Sequence, residues 1–169
     1  LDRDRGIDRL IACAHATLGR HRGDDGRQGP LSGDDARPTA GGLRIGKPLP
    51  ERRIDEAFDE RLEWERDGQY FHYLTKWIHA LLDVSEQRRD EVALRWARDL
   101  AETACEAFIE RDGDSRPVAG GAISSTISST ISWKRSIDLR RVLVPGGGTL
   151  DPLDGLATVT RVATACARR

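Results

Sequence analysis

Residues 59–76, DERLEWERDGQYFHYLTK, gather side chains able to move protons and grip a flat ligand. Asp59, Glu60, Glu63, Glu65 and Asp67 surround Trp64. Carboxylates able to serve as acid and base, beside an aromatic ring, are the chemistry of a sugar platform. The same acids suit a helix N-terminus, where backbone N–H groups lack partners, so helix capping is the plain alternative for Asp67 and Gln69. Further along, His72, Thr75, Lys76 and His79 recur at i, i+3, i+4 and i+7 as one polar stripe. Such a stripe faces either bulk water or a wet internal cavity. The two histidines are two helical turns apart, too far to share a metal, and the i, i+4 histidine pair of a zinc helix is absent. Lys76 on that stripe reads as a surface lysine with its stem laid along the helix.

Other motifs fail on inspection. Residues 41–47, GGLRIGK, have the Gly-x4-Gly-Lys spacing of a phosphate loop, but Pro48 replaces the hydroxyl that would hold Mg²⁺. The preceding GDDARPTA is not a buried strand. The RGD at 22–24 has no extracellular signal beside it. No nucleophile elbow, Cys-x-x-Cys or EF-hand spacing occurs, and no cofactor is expected. Cys13, Cys105 and Cys166 sit far apart among small apolar residues, which reads as buried, reduced thiols in a cytoplasmic protein.

The bulk properties set the frame. A chain of 169 residues supports one domain with a real core. Its net charge of −1 leaves no excess cation for phosphates, which argues against nucleic acid or an anionic membrane as partner. No apolar run approaches the roughly 20 residues that span a bilayer. Arginine outnumbers lysine 24 to three, and Asn and Met are absent. A chain that opens on Leu1 and contains no Met is expected to be a fragment of a longer one.

Four helices are expected to position these groups. The first runs over about 4–21, with Ile7, Leu10, Ile11, Ala14 and Leu18 in helical register. A long loop over 22–59 follows, with a short strand expected at 43–45. The second helix covers about 68–84. On a helical wheel its apolar residues from Tyr70 to Leu82, Tyr73 and Trp77 among them, sweep an arc of about 200°, so it should be enclosed on most sides. The third, over about 86–111, is plainly amphipathic and should be covered on one side only. Unequal burial of consecutive helices implies an inner and an outer layer. Residues 112–132 carry the repeat ISSTISSTIS and read as a low-complexity insertion. WKRSIDLRRVLVP then suits a hairpin or extended segment, and Asp151 and Pro152 suit the N-cap and first turn of a last helix.

Three segments together resemble a known architecture: LRIGKPLPER at 43–52, WERDGQYFHYLTKWIHAL at 64–81, and KRSIDLRRVLVPGGGTLDPLDG at 134–155. They are similar to uncharacterised bacterial proteins of the (α/α)6 toroid type, in the six-hairpin glycosidase-like group. The chain departs from that pattern in the glycine run 146–148, in Leu150, and in the Ile-Ser-Ser-Thr repeat. A full toroid also needs on the order of twice this length. The resemblance implies an all-α fold of antiparallel helical hairpins forming part of a toroid, with long loops and short β-hairpins, in a single domain over 1–169.

In such toroids inner helices aim their N-terminal ends at a central cavity. The resemblance therefore implies Trp64, Gln69, Tyr70, Lys76, Lys134, Asp138 and Asp151 as sugar-binding groups, and Glu65, Asp67, His72 and Asp154 as catalytic ones. Hydrolysis would pair Asp154 with Glu65 or Asp67 across about 5 to 9.5 Å. Epimerisation would use His72 as base. The competing expectation is a non-catalytic helical scaffold. In either case a partial toroid leaves hairpin edges uncovered, so self-association is expected.

Overall fold

The computed structural model describes residues 3–109, 131–146 and 151–168. At its centre is an antiparallel hairpin of α3 (Phe71–Arg88) and α4 (Glu91–Phe108). Arg89 ends α3 in the left-handed region at φ 55°. Asp90 then caps α4, its carboxylate accepting from Val92 N at 2.8 Å and Ala93 N at 3.1 Å. So tight a connection forces the helices antiparallel. Leu74, Ile78, Leu81 and Leu82 of α3 meet Ala93, Ala97, Leu100, Ala104 and Phe108 of α4, all buried in one core. The alanines let the axes approach closely, and the leucines fill the remaining space.

Helix α1 (Arg3–Leu18) adds Ile11 to this core. Helix α5 (Asp151–Ala167) packs on α3. Its register is fixed by paired contacts: Thr75 with Asp154, His79 with Thr158, and Asp83 with Arg161. Both sequences ascend together, so α5 runs parallel to α3 and their N-termini share one end of the molecule. The stripe of His72, Thr75, Lys76 and His79 therefore divides: Lys76 is exposed to water, His72 and His79 are half-buried, and Thr75 is buried. Thr75 and His79 are the seam on which α5 rests.

A short helix α2 (Glu60–Glu63), capped by Asp59, precedes three short strands. β1 (Gln69–Tyr70), β2 (Lys134–Arg135) and β3 (Val142–Val144) form an antiparallel sheet in that order, with Tyr70 opposite Lys134 and Lys134 opposite Val144. The expected hairpin after Trp133 is therefore present. The architecture is helical hairpins with a small sheet, not an all-α body. No strand forms at 43–45, where Arg44 N bonds Leu18 O and Ile45 N bonds Gly68 O singly. Most of the repeat insertion lies outside the described residues.

Two further expectations need correction. The wide apolar arc is not enclosed: Tyr73 is 53% exposed and Ala80 is exposed, while the buried face runs Phe71, Leu74, Thr75, Ile78, Leu81, Leu82 and Ser85. Among the described residues α4 and α5 cover the buried face of α3 and α1 reaches Trp77 and Arg88, so rings pointing elsewhere meet water. Nor are the thiols buried. Cys13 and Cys166 are exposed on the outer sides of α1 and α5, and Cys105 is half-buried.

One buried polar residue ties α1 to the hairpin. His15 is 7% exposed, and its Nε2 accepts from Trp77 Nε1 at 3.2 Å. Its ring meets Trp77 and Trp96 edge-on, at 5.9 and 4.8 Å. Burial lowers its pKa from 6.5 to about 4. The folded chain therefore binds this proton less readily than the unfolded one. Full stability is kept above pH 6.5, and up to about 3 kcal/mol is lost as pH falls towards 4. His15→Gln, neutral at every pH and still an acceptor for Trp77, should flatten this part of the urea-midpoint profile. An unchanged acid slope would exclude His15 as its source.

Candidate functional site

The junction of β1 and α3 places three rings in sequence, Tyr70, His72 and Tyr73. The C-terminal end of α2 contributes Trp64, and the residue before β2 contributes Trp133. Trp64 stacks on Tyr70 at 6.1 Å and meets Trp133 edge-on at 4.9 Å. His72 lies 4.6 Å from Tyr73, 5.5 Å from Tyr70 and 6.0 Å from Trp133. Tyr70 is buried at 3% exposure, whereas Trp64 at 42% and Tyr73 at 53% offer ring surface to solvent. Together the five rings make a continuous aromatic surface at the N-terminal end of α3.

The parallel α5 brings acids to the same end. Burial lowers the pKa of His72; the charges of Asp151 and Asp154 work against that shift, and Lys76 reinforces it. Asp154 Oδ2 accepts from Thr75 Oγ1 at 2.6 Å. His72 Nδ1 is buried and meets no hydrogen-bond partner among the described residues. A buried ring nitrogen without a partner is a group a ligand can satisfy.

Beneath the rings lies a buried ionic layer. Lys134, fully enclosed, donates to Glu63 O at 2.7 Å, Glu63 Oε1 at 2.9 Å and Arg66 O at 2.9 Å. Burial lowers its pKa, against the opposing pull of Glu63. Arg52 Nε reaches Glu63 Oε2 at 3.0 Å. Gln69 is likewise enclosed and donates to Gly41 O at 3.0 Å and Ile137 O at 2.8 Å. Gly42 makes room for it: at φ 79° a Cβ there would stand 1.9 Å from Gln69 Oε1. A cavity of about 590 Å³ opens beside this layer, lined by Trp64, Tyr70, Trp133, Phe58, Glu63 and Arg52 among others.

The expected site residues therefore divide. Trp64, Tyr70, His72, Lys76, Asp151 and Asp154 gather at one end of α3 and α5. Asp67, Gln69 and Lys134 are enclosed and hold the framework. Asp67 has no exposed surface and accepts from Arg44, Arg22 and the amides of Gly46 and Gly68. A carboxylate so enclosed and so fully bonded is a structural anchor rather than a general acid. Glu65 is exposed on the chain after α2. Asp138 belongs to the β2–β3 turn, where it accepts from Ser136 Oγ at 2.7 Å. Burial works to raise its pKa, but Ser136, the Arg140 amide and Arg27 outweigh it, and the pKa is lowered. Trp133 and Arg52 were not among the expected groups, and Glu63, one of the carboxylates around Trp64, proves to be a buried partner of Lys134. The only sequence sign of Trp133 was its place beside Lys134.

No protein-family model, no curated protein and no solved structure matches the chain. Among the described residues, no helix is long and apolar enough to cross a membrane. Nor does any group of three or more His, Cys, Asp and Glu among them suit a metal ion.

Proposed function

We propose that the chain is a saccharide-binding body built as part of an (α/α)6 toroid, and that its chemistry is proton transfer by His72. One observation carries the reading: an open aromatic surface at the N-terminal end of α3, with Asp151 and Asp154 brought to His72 by the parallel α5. Two parallel helices with an antiparallel return helix between them in sequence agree with the hairpin order of a toroid. The exposed faces of Trp64 and Tyr73 suit the C–H face of a sugar ring. Lys76 and Asp151 are placed to bond its hydroxyls. His72, kept neutral at pH 7 mainly by burial, is a base for a proton on carbon next to a carbonyl, as in epimerisation. The acids of α5 stabilise the imidazolium, and inversion follows when the enolate turns over on the aromatic surface and takes that proton back on its opposite face.

Proton transfer is favoured over two-carboxylate hydrolysis. Of the partners expected for Asp154, Asp67 is enclosed and Glu65 is exposed on the chain after α2, and the acid that does lie near, Asp151, is one turn away on the same helix. Neighbours at that spacing sit side by side and do not face each other across a bond.

Tryptophan fluorescence titrated with a panel of mono- and oligosaccharides tests the reading. Trp64→Ala should weaken binding about tenfold, a change of about 1.4 kcal/mol. His72→Gln should retain binding and lower turnover by about 10²–10⁴. A panel that leaves the fluorescence of the unaltered chain unchanged at millimolar sugar would remove the proposal.

A further inference from the structure

Helix α5 is built inside out. Its three charged residues, Asp151, Asp154 and Arg161, are only partly exposed, and the latter two bond groups on α3. Asp154 accepts from Thr75. Arg161 donates to His79 Nδ1 at 2.8 Å and pairs with Asp83. The outward stripe instead carries Leu153 at 62% exposure, Leu156 at 65% and Val159 at 42%, with Ala157, Thr160 and Ala163 between them. No exposed residue of α5 is charged. A helix on the surface ordinarily turns its apolar stripe inward and its charges outward. Beside the stripe, an apolar cleft of about 380 Å³ opens between α5 and α4, lined by Leu156, Val159, Ala101, Ala104 and Cys105 among others.

We infer that the outer face of α5 is a self-association surface, taken by α5 of a second copy lying antiparallel across a two-fold axis near Val159 and Thr160. Charge favours this occupant. A two-fold contact sets the patch against itself, residue i facing residue j and j facing i, and a patch without charge is self-complementary as it stands, needing no oppositely charged partner. Antiparallel pairing also sets the helix dipoles head to tail. Ala157, Thr160 and Ala163 allow the axes to come close, with Leu156 and Val159 of each copy directed to the cleft of the other. The area is adequate: 17 residues give a helix about 25 Å long, hence about 500 Å² of strip, which the cleft walls extend towards the roughly 800 Å² per partner of a standard interface. The surface does not depend on saccharide binding, so the two proposals stand or fall separately.

Sedimentation of the whole chain from low to high micromolar concentration should show a monomer–dimer equilibrium. Leu156→Glu combined with Val159→Glu places like charges across the axis and should weaken the dimer at least about a hundredfold, with helical circular dichroism retained. Should that variant misfold, Thr160→Cys with the native cysteines replaced by serine gives an independent reading. Its thiols lie near the axis, and oxidation should yield a covalent dimer in high yield. A chain that remains monomeric throughout overturns the inference, whether the face is then bare or taken by a different protein. So does a doubly charged variant that folds and dimerises as well as the original, or a Thr160→Cys variant that does not cross-link.

Discussion

Asp67→Asn should lower the unfolding free energy by about 3–5 kcal/mol, the range for breaking a buried ion pair on one side. The substitution nearly preserves shape, so the loss comes from charge and from the amide's added donors. Arg44, at 9% exposure, would be left with its guanidinium facing no carboxylate. Its remaining partners, Arg20 O and Thr17 O at 2.7 Å each, are neutral carbonyls. Arg22, 3.2 Å from the same oxygen, would lose its grip on the buried end of the network. The consequence reaches past the pair. Asp67 joins the end of α1, the 22–59 loop through Gly46, and the approach to β1. Urea unfolding of Asp67→Asn against the unaltered chain measures the effect. A variant that lost turnover while keeping its stability would instead return Asp67 to the role of acid or base.

How much of this was legible before the fold was known depends on how far apart the deciding groups lie. The α3–α4 hairpin could be read because its information is local, apolar residues at helical spacing, although the break fell at Arg89 and Asp90 and not before about 86 as expected. The 22–59 loop could not. Its order comes from arginine contacts that skip large stretches of chain, such as Arg44 to Asp67 and Arg37 to Asp99, 23 and 62 residues apart. Composition announced many arginines but not their partners. The wheel for α3 erred for a related reason, since it ranks hydrophobicity, whereas burial requires a neighbour. Thr75 is buried because Asp154 accepts its hydroxyl, and Tyr73 is bare because no described element covers that side. At the candidate site, Trp64, Tyr70 and His72 were legible because they are close in sequence. Trp133 joins them only through the pairing of β1 with β2. Asp67 and Lys134 look chemical in sequence and serve as buried supports, a distinction that depends on enclosure.

Lys134 carries the second large expectation and links the support to the site. Lys134→Met should destabilise the chain by about 3 kcal/mol or more, because Glu63, 3% exposed, loses its buried cation and two backbone carbonyls lose their donor. Arg52 remains on the other carboxylate oxygen and softens the loss. The double change Lys134→Met with Glu63→Met should be milder than the sum of the single changes by at least about 1 kcal/mol, since no unpaired charge is then left inside. Function enters through Tyr70. The Lys134 ammonium lies 5.3 Å from the centre of that ring, and the Tyr70 hydroxyl is pushed up to about 12 by burial first and by Glu63 next. Tyr70 in turn backs Trp64. Removing the ammonium loosens the floor on which the open aromatic surface rests, so Lys134→Met should weaken saccharide binding although an enclosed lysine touches no ligand. The double variant, with its apolar floor repacked, should recover part of that binding together with part of its stability. Recovery of stability with no recovery of binding would separate the ionic layer from the ring surface above it.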